Sequence, residues 1–121
     1  MISLFDKIGQ ERLVEILDVF YSLVYDSKII GQLFKNDKTI IKDKQLKFLT
    51  QFLGGPQVYT AEFGHPKMRM RHLPHVINDG AKDEWLHCMK VAIFQVISED
   101  EILANEMYSC FPNVAQHMVN R

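Results

Sequence analysis

Apolar residues recur along four stretches of the chain at the three- and four-residue spacing of α-helices. The first stretch, 10–25, has one broad apolar face. Its members are Leu13, Leu17, Phe20 and Val24, flanked by Val14, Tyr21 and Tyr25. The same spacing predicts helices over 38–53, 82–97 and 101–119, and strand-like alternation is confined to the short KMRMR sequence at 67–71. The pattern therefore predicts an all-α fold.

Helix-breaking residues separate these stretches. A Gly-Gly-Pro sequence at 54–56 ends the second predicted helix, because paired glycines loosen the backbone and proline cannot continue a helix. Asp79 or Asp83 is placed to cap the start of the third. Pro112 lies inside the fourth, so we expect a kink or break near Ser109.

The segment between the second and third helices is unusually long. From 54 to 79, roughly 25 residues lack an extended helical pattern, and such segments in compact domains are usually functional or disordered. This one contains Tyr59, Phe63, Val76 and Ile77, and this apolar content argues against disorder. We therefore expect something to hold the segment in place.

Composition narrows the class of protein. The 121 residues are 47% hydrophobic and 24% charged, with a net charge of -1, which is typical of a single globular domain, 1–121. A nearly neutral net charge gives no sign of the clustered basic surface by which proteins bind nucleic acids or anionic membranes, so neither partner is expected. There is neither a secretory signal pattern nor an apolar run long enough to span a membrane. With Cys88 and Cys110 far apart, free thiols in a reducing cytoplasm are expected, and the missing CxxCH motif excludes the usual covalent haem attachment.

Three hydrogen-bond donors interrupt the apolar stripes. They are Tyr21 on the first helix, Gln45 on the second and Trp85 on the third. Tyrosine and tryptophan are often core residues whose polar tips reach backbone carbonyls. Gln45 fits that explanation poorly, because glutamine is mostly exposed and a buried unpaired donor costs about 1–3 kcal/mol. The alternative hypothesis is that the three donors converge on one buried acceptor.

The histidines offer candidate metal ligands. In HPKMRMRHLPHV, 65–76, His72 and His75 are three residues apart and could share a zinc ion with His65 or Cys88. Structural zinc normally uses four ligands in tight paired spacing, and these are scattered. A haem iron needs only one well-placed imidazole. The spacing therefore favours a single axial ligand over zinc.

Basic residues precede His72. Arg71, with Lys67 and Arg69 nearby, can pair with carboxylates, and haem propionates are natural candidates. For Lys67, an ordinary solvated loop position is the better interpretation. Neither a Gly-rich phosphate loop nor a GxSxG motif is present.

Four motifs carry a resemblance between this chain and the group II truncated haemoglobins, and the resemblance extends over essentially the whole chain. They are FLTQFLGGPQVYT, GHPKMRMRHLP, WLHCMK and the closing HMVN. The resemblance implies a truncated globin fold, in which two antiparallel helix pairs form a two-over-two sandwich around a non-covalent haem b. Its proximal iron ligand falls on His72. Arg71 matches the residue that reaches a haem propionate, Lys44 and Tyr59 are further candidates for that contact, and Phe34 matches the aromatic residue that packs on the haem face.

On the distal side, the resemblance assigns the ligand-binding groups to Tyr21, Gln45 and Trp85, the three donors already noted. Ile41 matches the residue that flanks this pocket, where the family usually has a small or hydroxyl side chain. Ligand access past Ile41 is therefore expected to be narrower than usual. Other departures from the family pattern, which do not touch the iron ligand, are at Lys35, Phe63, His75 and Pro112.

The resemblance implies reversible binding of dioxygen, and of related diatomic molecules such as CO and NO. Hydrogen bonds from the distal donors to the negatively charged outer atom of dioxygen then predict tight binding and slow release. An enzyme is the alternative, either a nitric oxide dioxygenase or a peroxidase-like protein. Because the chain has no flavin or nicotinamide motif, such an enzyme would need an external reductase. A helical interaction module without a cofactor is the third possibility. The expected protein is a monomer or a homodimer.

Overall fold

The structure is a computed structural model that describes residues 2–31, 38–67 and 77–120. These residues form helices joined by turns, and none of them belongs to a β-strand. The helices are α1 (Leu4–Ile8), α2 (Gln10–Asp26), α3 (Lys38–Phe52), α4 (Val58–Phe63), α5 (Asp79–Val96), α6 (Glu101–Tyr108) and α7 (Pro112–Met118). Over the same ranges, no helix is long and apolar enough to cross a bilayer. The predicted all-α fold is confirmed.

Helix α2 is at the centre of the core. It packs against α5, α3 and the short α1. Its predicted apolar face is fully buried, with Ile16 as an additional member: Leu13, Ile16, Leu17, Phe20 and Val24. Burying one such side chain stabilises the fold by about 1.5–3 kcal/mol. Burial of this face therefore determines the orientation of α2 relative to the helices that it contacts.

Helix α5 begins earlier than the periodicity predicts, at Asp79. Its cap is Asn78, which has an extended backbone and accepts a 2.9 Å hydrogen bond at Oδ1 from the Ala81 amide. The prediction that Asp79 or Asp83 caps this helix is therefore wrong. Both aspartates already lie within the helix, and an N-cap must be outside it.

The break predicted in the last helix is present. Helix α6 ends at Tyr108, and Pro112 begins α7. The first residue of a helix is the position that tolerates proline, because its backbone N–H would have no helical partner there. Proline thus starts a new helix in this chain.

The two glycines that end α3, Gly54 and Gly55, pack closely against α1 and its N-cap Ser3. The periodicity does not predict α1. The Phe5 amide donates a 2.9 Å hydrogen bond to the Leu53 carbonyl. Gly54 has a φ of 94°, and a Cβ on it would lie 2.9 Å from Ser3 Cβ. A Cβ on Gly55 would lie 2.7 Å from the Phe5 ring. Only glycine lets α1 approach this closely.

Two pairs of hydrogen bonds hold the long segment after α3. The Gln51 amide donates to Thr60 Oγ1 at 2.7 Å and accepts from the Thr60 backbone at 2.9 Å, which fixes α4 to α3. The Ile77 amide donates to Asn120 Oδ1 at 3.0 Å, and the Asn120 amide donates to the Ile77 carbonyl at 2.8 Å. The expectation that the segment is held is met at both of these points.

Candidate functional site

The packing of α2 against α5 brings two of the predicted donors to either side of one buried ring. The Phe20 ring lies 5.0 Å from the Tyr21 ring and 5.2 Å from the Trp85 ring, both edge-on. Phe20 itself has no exposed surface. Tyr21 and Trp85, which are 64 positions apart in the chain, thus flank a common apolar spacer.

Tyr21 is a phenol in an apolar environment. Its side chain is 4% exposed, and the Tyr25 ring lies 5.9 Å away, one helical turn later. Burial raises the pKa of the Tyr21 hydroxyl well above its usual value, and the nearby Tyr25 raises it further. The hydroxyl therefore keeps its proton even above the pH at which a free phenol titrates, so it can act as a hydrogen-bond donor.

Trp85 is half-buried near the start of α5. Its ring packs 5.7 Å from the Phe111 ring, beside the start of α7. The neighbouring Glu84 carboxylate accepts a 2.7 Å hydrogen bond from the Ser27 hydroxyl at the end of α2. This bond joins α5 to the end of α2 one residue before the indole.

The inner side of α3 has large apolar side chains that are only partly covered. Ile41, Phe48 and Phe52 pack against the core but are half-buried, and the Phe48 and Phe52 rings stack at 5.6 Å. Gln45, one turn after Ile41, is also half-buried. The predicted stripe on α3 thus offers partly exposed apolar surface with one amide in its middle.

Lys44 and Tyr59 meet around Phe63 on α4. The Lys44 ammonium lies 5.1 Å from the centre of the Phe63 ring, within the range of cation–π attraction. The buried Tyr59 ring lies 5.0 Å from the same ring and 5.7 Å from Phe48. A cation and a phenol therefore both lie against the Phe63 ring, next to Phe48 of α3.

Three of the residues that the resemblance assigns to the haem, His72, Arg71 and Phe34, lie outside the described residues, as does His75. In the part of the chain that is described, no three histidine, cysteine or acidic side chains are grouped to hold a metal ion.

Cys88, the other zinc ligand considered from the sequence, lies in the core. Burial, with a smaller effect of Glu84, raises the pKa of the buried Cys88 thiol to about 11. Because His72 and His75 lie outside the described residues, the choice between zinc and a single axial ligand stays a prediction.

Known proteins resemble the chain over nearly its full length. A model of the bacterial-like globin family matches residues 3–120. The Group 2 truncated hemoglobin YjbI of Bacillus subtilis is 42% identical over 117 residues, which cover 97% of this chain and 88% of that protein. The present chain therefore belongs to the group II truncated haemoglobins.

Two solved structures in this group agree with that assignment. A truncated oxygen-avid haemoglobin from Bacillus subtilis superposes with a TM-score of 0.91 at 39% identity, covering 98% of this chain and 99% of that one. The group II truncated haemoglobin from Bacillus anthracis gives 0.93 at 36% identity, covering 99% and 92%. The two-over-two globin fold expected from the motifs is confirmed, and family membership implies a haem cofactor.

The described residues suit a haem. A porphyrin is a flat apolar ring with two carboxylates, and the half-buried Ile41, Phe48, Phe52 and Trp85 offer apolar surface for such a ring to cover. Lys44 supplies a cation on the same helix as three of these residues, and Tyr21 supplies a protonated donor. Apolar cover, a cation and a donor fit a haem, while the iron ligand implied by the resemblance, His72, lies outside the described residues.

Sequence reasoning assigned Phe20 to the core and missed its place between the two donors. Phe111 contacts both Trp85 and Phe52, and the apolar pattern of the fourth stretch does not reveal this role either. Neither has a distinctive signal in the sequence, because any apolar residue at the same spacing gives the same pattern. Only the packing of separate helices shows their role.

Proposed function

We propose that this truncated haemoglobin is a haem b protein that reversibly binds dioxygen, and other diatomic ligands such as CO and NO, with high affinity and slow release. The observation that carries the proposal is the protonated, buried Tyr21 beside Phe20 and Trp85. The Bacillus subtilis relative described as oxygen-avid supports it.

Haem, when bound, supplies the ferrous iron that coordinates dioxygen. The residues of this chain then act on the ligand. We assign Tyr21 and Trp85 as donors to its outer atom, which carries partial negative charge, with Gln45 as a third donor and Ile41 as the flanking residue. Such donors act most strongly in a site from which water is excluded. One charge-assisted hydrogen bond of about 1.5–3 kcal/mol slows release by about ten- to a hundredfold.

For the haem itself, we assign His72 as the residue that would hold the iron and Phe34 as the aromatic residue that would pack on the porphyrin ring. Arg71 is the first partner for a propionate, since a guanidinium pairs with a carboxylate in a fixed geometry. Lys44 and Tyr59 are further candidates, and the position of both around Phe63 supports them.

The test begins with purified protein mixed with haem. We expect a Soret band and, after reduction in air, an oxygenated spectrum that decays slowly when the free oxygen is removed. Absence of a Soret band would overturn the proposal and favour the cofactor-free helical module. Mixing the oxygenated form with nitric oxide, with and without a reductase, distinguishes a binding protein from a nitric oxide dioxygenase. Sustained turnover only with the reductase would favour the enzyme.

The pH dependence of oxygen release gives a second check. A phenol ordinarily has a pKa of about 10. Because burial raises the pKa of Tyr21, its donor form persists above that pH, and the oxygen off-rate should stay constant from about pH 6 to pH 10. It should rise only at still higher pH. An increase that begins near pH 9 would show that Tyr21 titrates as an exposed phenol. In Tyr21→Phe the off-rate should be higher and equally flat.

A further inference from the structure

Helix α4 is too short to hold its own position. It has only six residues, Val58–Phe63, whereas an isolated helix needs about 12–15 residues for even marginal stability in water. Its N-cap residue, Gln57, makes no side-chain hydrogen bond to the first turn. The position of α4 must therefore come from contacts with other elements.

Gln51 supplies the missing cap from another helix, α3. Its Oε1 accepts a 2.9 Å hydrogen bond from the Thr60 amide, one of the first amides of α4, which have no acceptor within their own helix. Its Nε2 donates a 2.7 Å hydrogen bond to Thr60 Oγ1. Both ends of one carboxamide thus hold one residue of α4, and both residues lie in the FLTQFLGGPQVYT motif. We call this pair of hydrogen bonds the Gln51–Thr60 clamp.

The clamp lies next to the two described residues that we propose as propionate partners, Tyr59 and Lys44. Tyr59 directly precedes Thr60, and its buried ring packs 5.7 Å from Phe48 and 5.0 Å from Phe63. The Lys44 ammonium lies 5.1 Å from the centre of the same Phe63 ring. A shift of α4 would therefore move Tyr59 directly and would displace the ring against which Lys44 lies.

An ion pair also joins the two helices, but it is less able to fix their geometry. Lys47 pairs with Glu62, and these side chains are 29% and 50% exposed. Ion pairs at the surface are weak and hold no single geometry. The Gln51–Thr60 clamp is half-buried, where hydrogen bonds are stronger and more strictly oriented. The clamp is therefore the polar contact that sets the orientation of α4.

From these contacts we propose that Gln51 is a positioning residue for the haem propionates. By clamping Thr60, it holds Tyr59 and the Phe63 ring in the arrangement in which Tyr59 and Lys44 bind a propionate. The proposal rests on the haem-dependent function proposed above. It extends that function from the residues that touch the haem to one that acts only through them.

The test compares the loss of ferric haem with the loss of haem dimethyl ester, whose two propionates are neutral esters. Each is transferred from the loaded protein to an excess of apomyoglobin. In Gln51→Leu, which loses both hydrogen bonds but keeps similar bulk, haem loss should be at least about fivefold faster than in the unsubstituted protein. Loss of the diester should change by less than about twofold, because it has no carboxylate to bind. Equal acceleration with both porphyrins would show that Gln51 only stabilises the fold, and would overturn the proposal.

Substitutions at Thr60 test the other half of the clamp. Thr60→Val removes the hydroxyl and should speed haem loss about two- to threefold, while Thr60→Ser keeps the hydroxyl and should match the unsubstituted protein. The double variant Gln51→Leu with Thr60→Val should lose haem no faster than Gln51→Leu alone, and additive effects would overturn the clamp. The matched control is Gln116→Leu, which removes a glutamine that joins α7 to α5 through a 2.8 Å hydrogen bond from Lys82. It should leave haem loss unchanged.

Haem loss is measured on ferric protein without a diatomic ligand, so it does not depend on oxygen binding. If the ferrous protein failed to bind oxygen reversibly while the variants kept this order of haem loss, the proposed function would fail and the role of Gln51 would stand. Slow oxygen release from the unsubstituted protein, together with equal haem loss in all variants, would overturn the role of Gln51 alone.

Discussion

The His72→Gly variant is expected to lose the native iron spectrum and to regain a closely similar one when free imidazole is added. Glycine removes the imidazole ring, whose nitrogen would coordinate the iron, and it leaves a space that free imidazole fits. Since a haem held without covalent bonds depends on its axial ligand, haem should also be lost faster from the variant. Absorption spectra of ferrous, ferric and CO-bound protein, with and without imidazole, measure the effect.

The matched control for this substitution is His75→Gly, three residues later, which should keep the native spectrum. Spectra of His72→Gly that match the unsubstituted protein would place the iron ligand elsewhere, and His75 would be the first residue to test. Loss of haem from both variants, with no recovery in imidazole, would indicate that the segment 65–76 had failed to fold, and would contradict the prediction.

The second large effect is expected on the distal side. Replacing Trp85 by Phe should speed oxygen release by about ten- to a hundredfold, because one hydrogen bond to a charged acceptor is lost while the ring remains. The Phe20 and Phe111 rings that hold the indole would still pack against the new ring. Tyr21→Phe should have an effect of similar size. Stopped-flow measurement of the oxygen off-rate checks both.

Haem uptake should be unaltered in these variants, which separates loss of a donor from loss of the fold. Tyr108→Phe is a suitable control, because Tyr108 lies at the end of α6 with the Lys90 ammonium 5.6 Å from its ring. An unchanged off-rate in Trp85→Phe would mean that the indole does not face the ligand. A faster rate in Tyr108→Phe would mean that removing a hydroxyl anywhere loosens the protein.

The sequence was sufficient for features that depend on local spacing. The stripe of α2, the stop at Gly54 and the break before Pro112 follow from the helix period and from backbone chemistry. Tyr21 was identified because a polar group on an apolar stripe is conspicuous. In the structure Tyr21 is 4% exposed and thus buried like the apolar stripe residues Leu17 and Val24.

Features that depend on distant partners could not be predicted. Helix α1 is too short for periodicity to show, and its place depends on the contact between Phe5 and Gly55. The cap of α5 was misplaced because Asn78 and Asp79 are both good capping residues, and only the backbone conformation distinguishes them. The hydrogen bond between Ser27 and Glu84 spans 57 positions and leaves no trace in the sequence.

The ring of Phe20 sets the spacing between a phenol and an indole without a polar atom of its own. The free-energy effects of substitutions at Tyr21 and Trp85 should therefore not be additive, because both side chains pack against Phe20. A slightly smaller or larger residue at position 20 would move both groups together. Under the function proposed above, a change of side-chain size at position 20 would therefore alter the oxygen affinity through both donors at once.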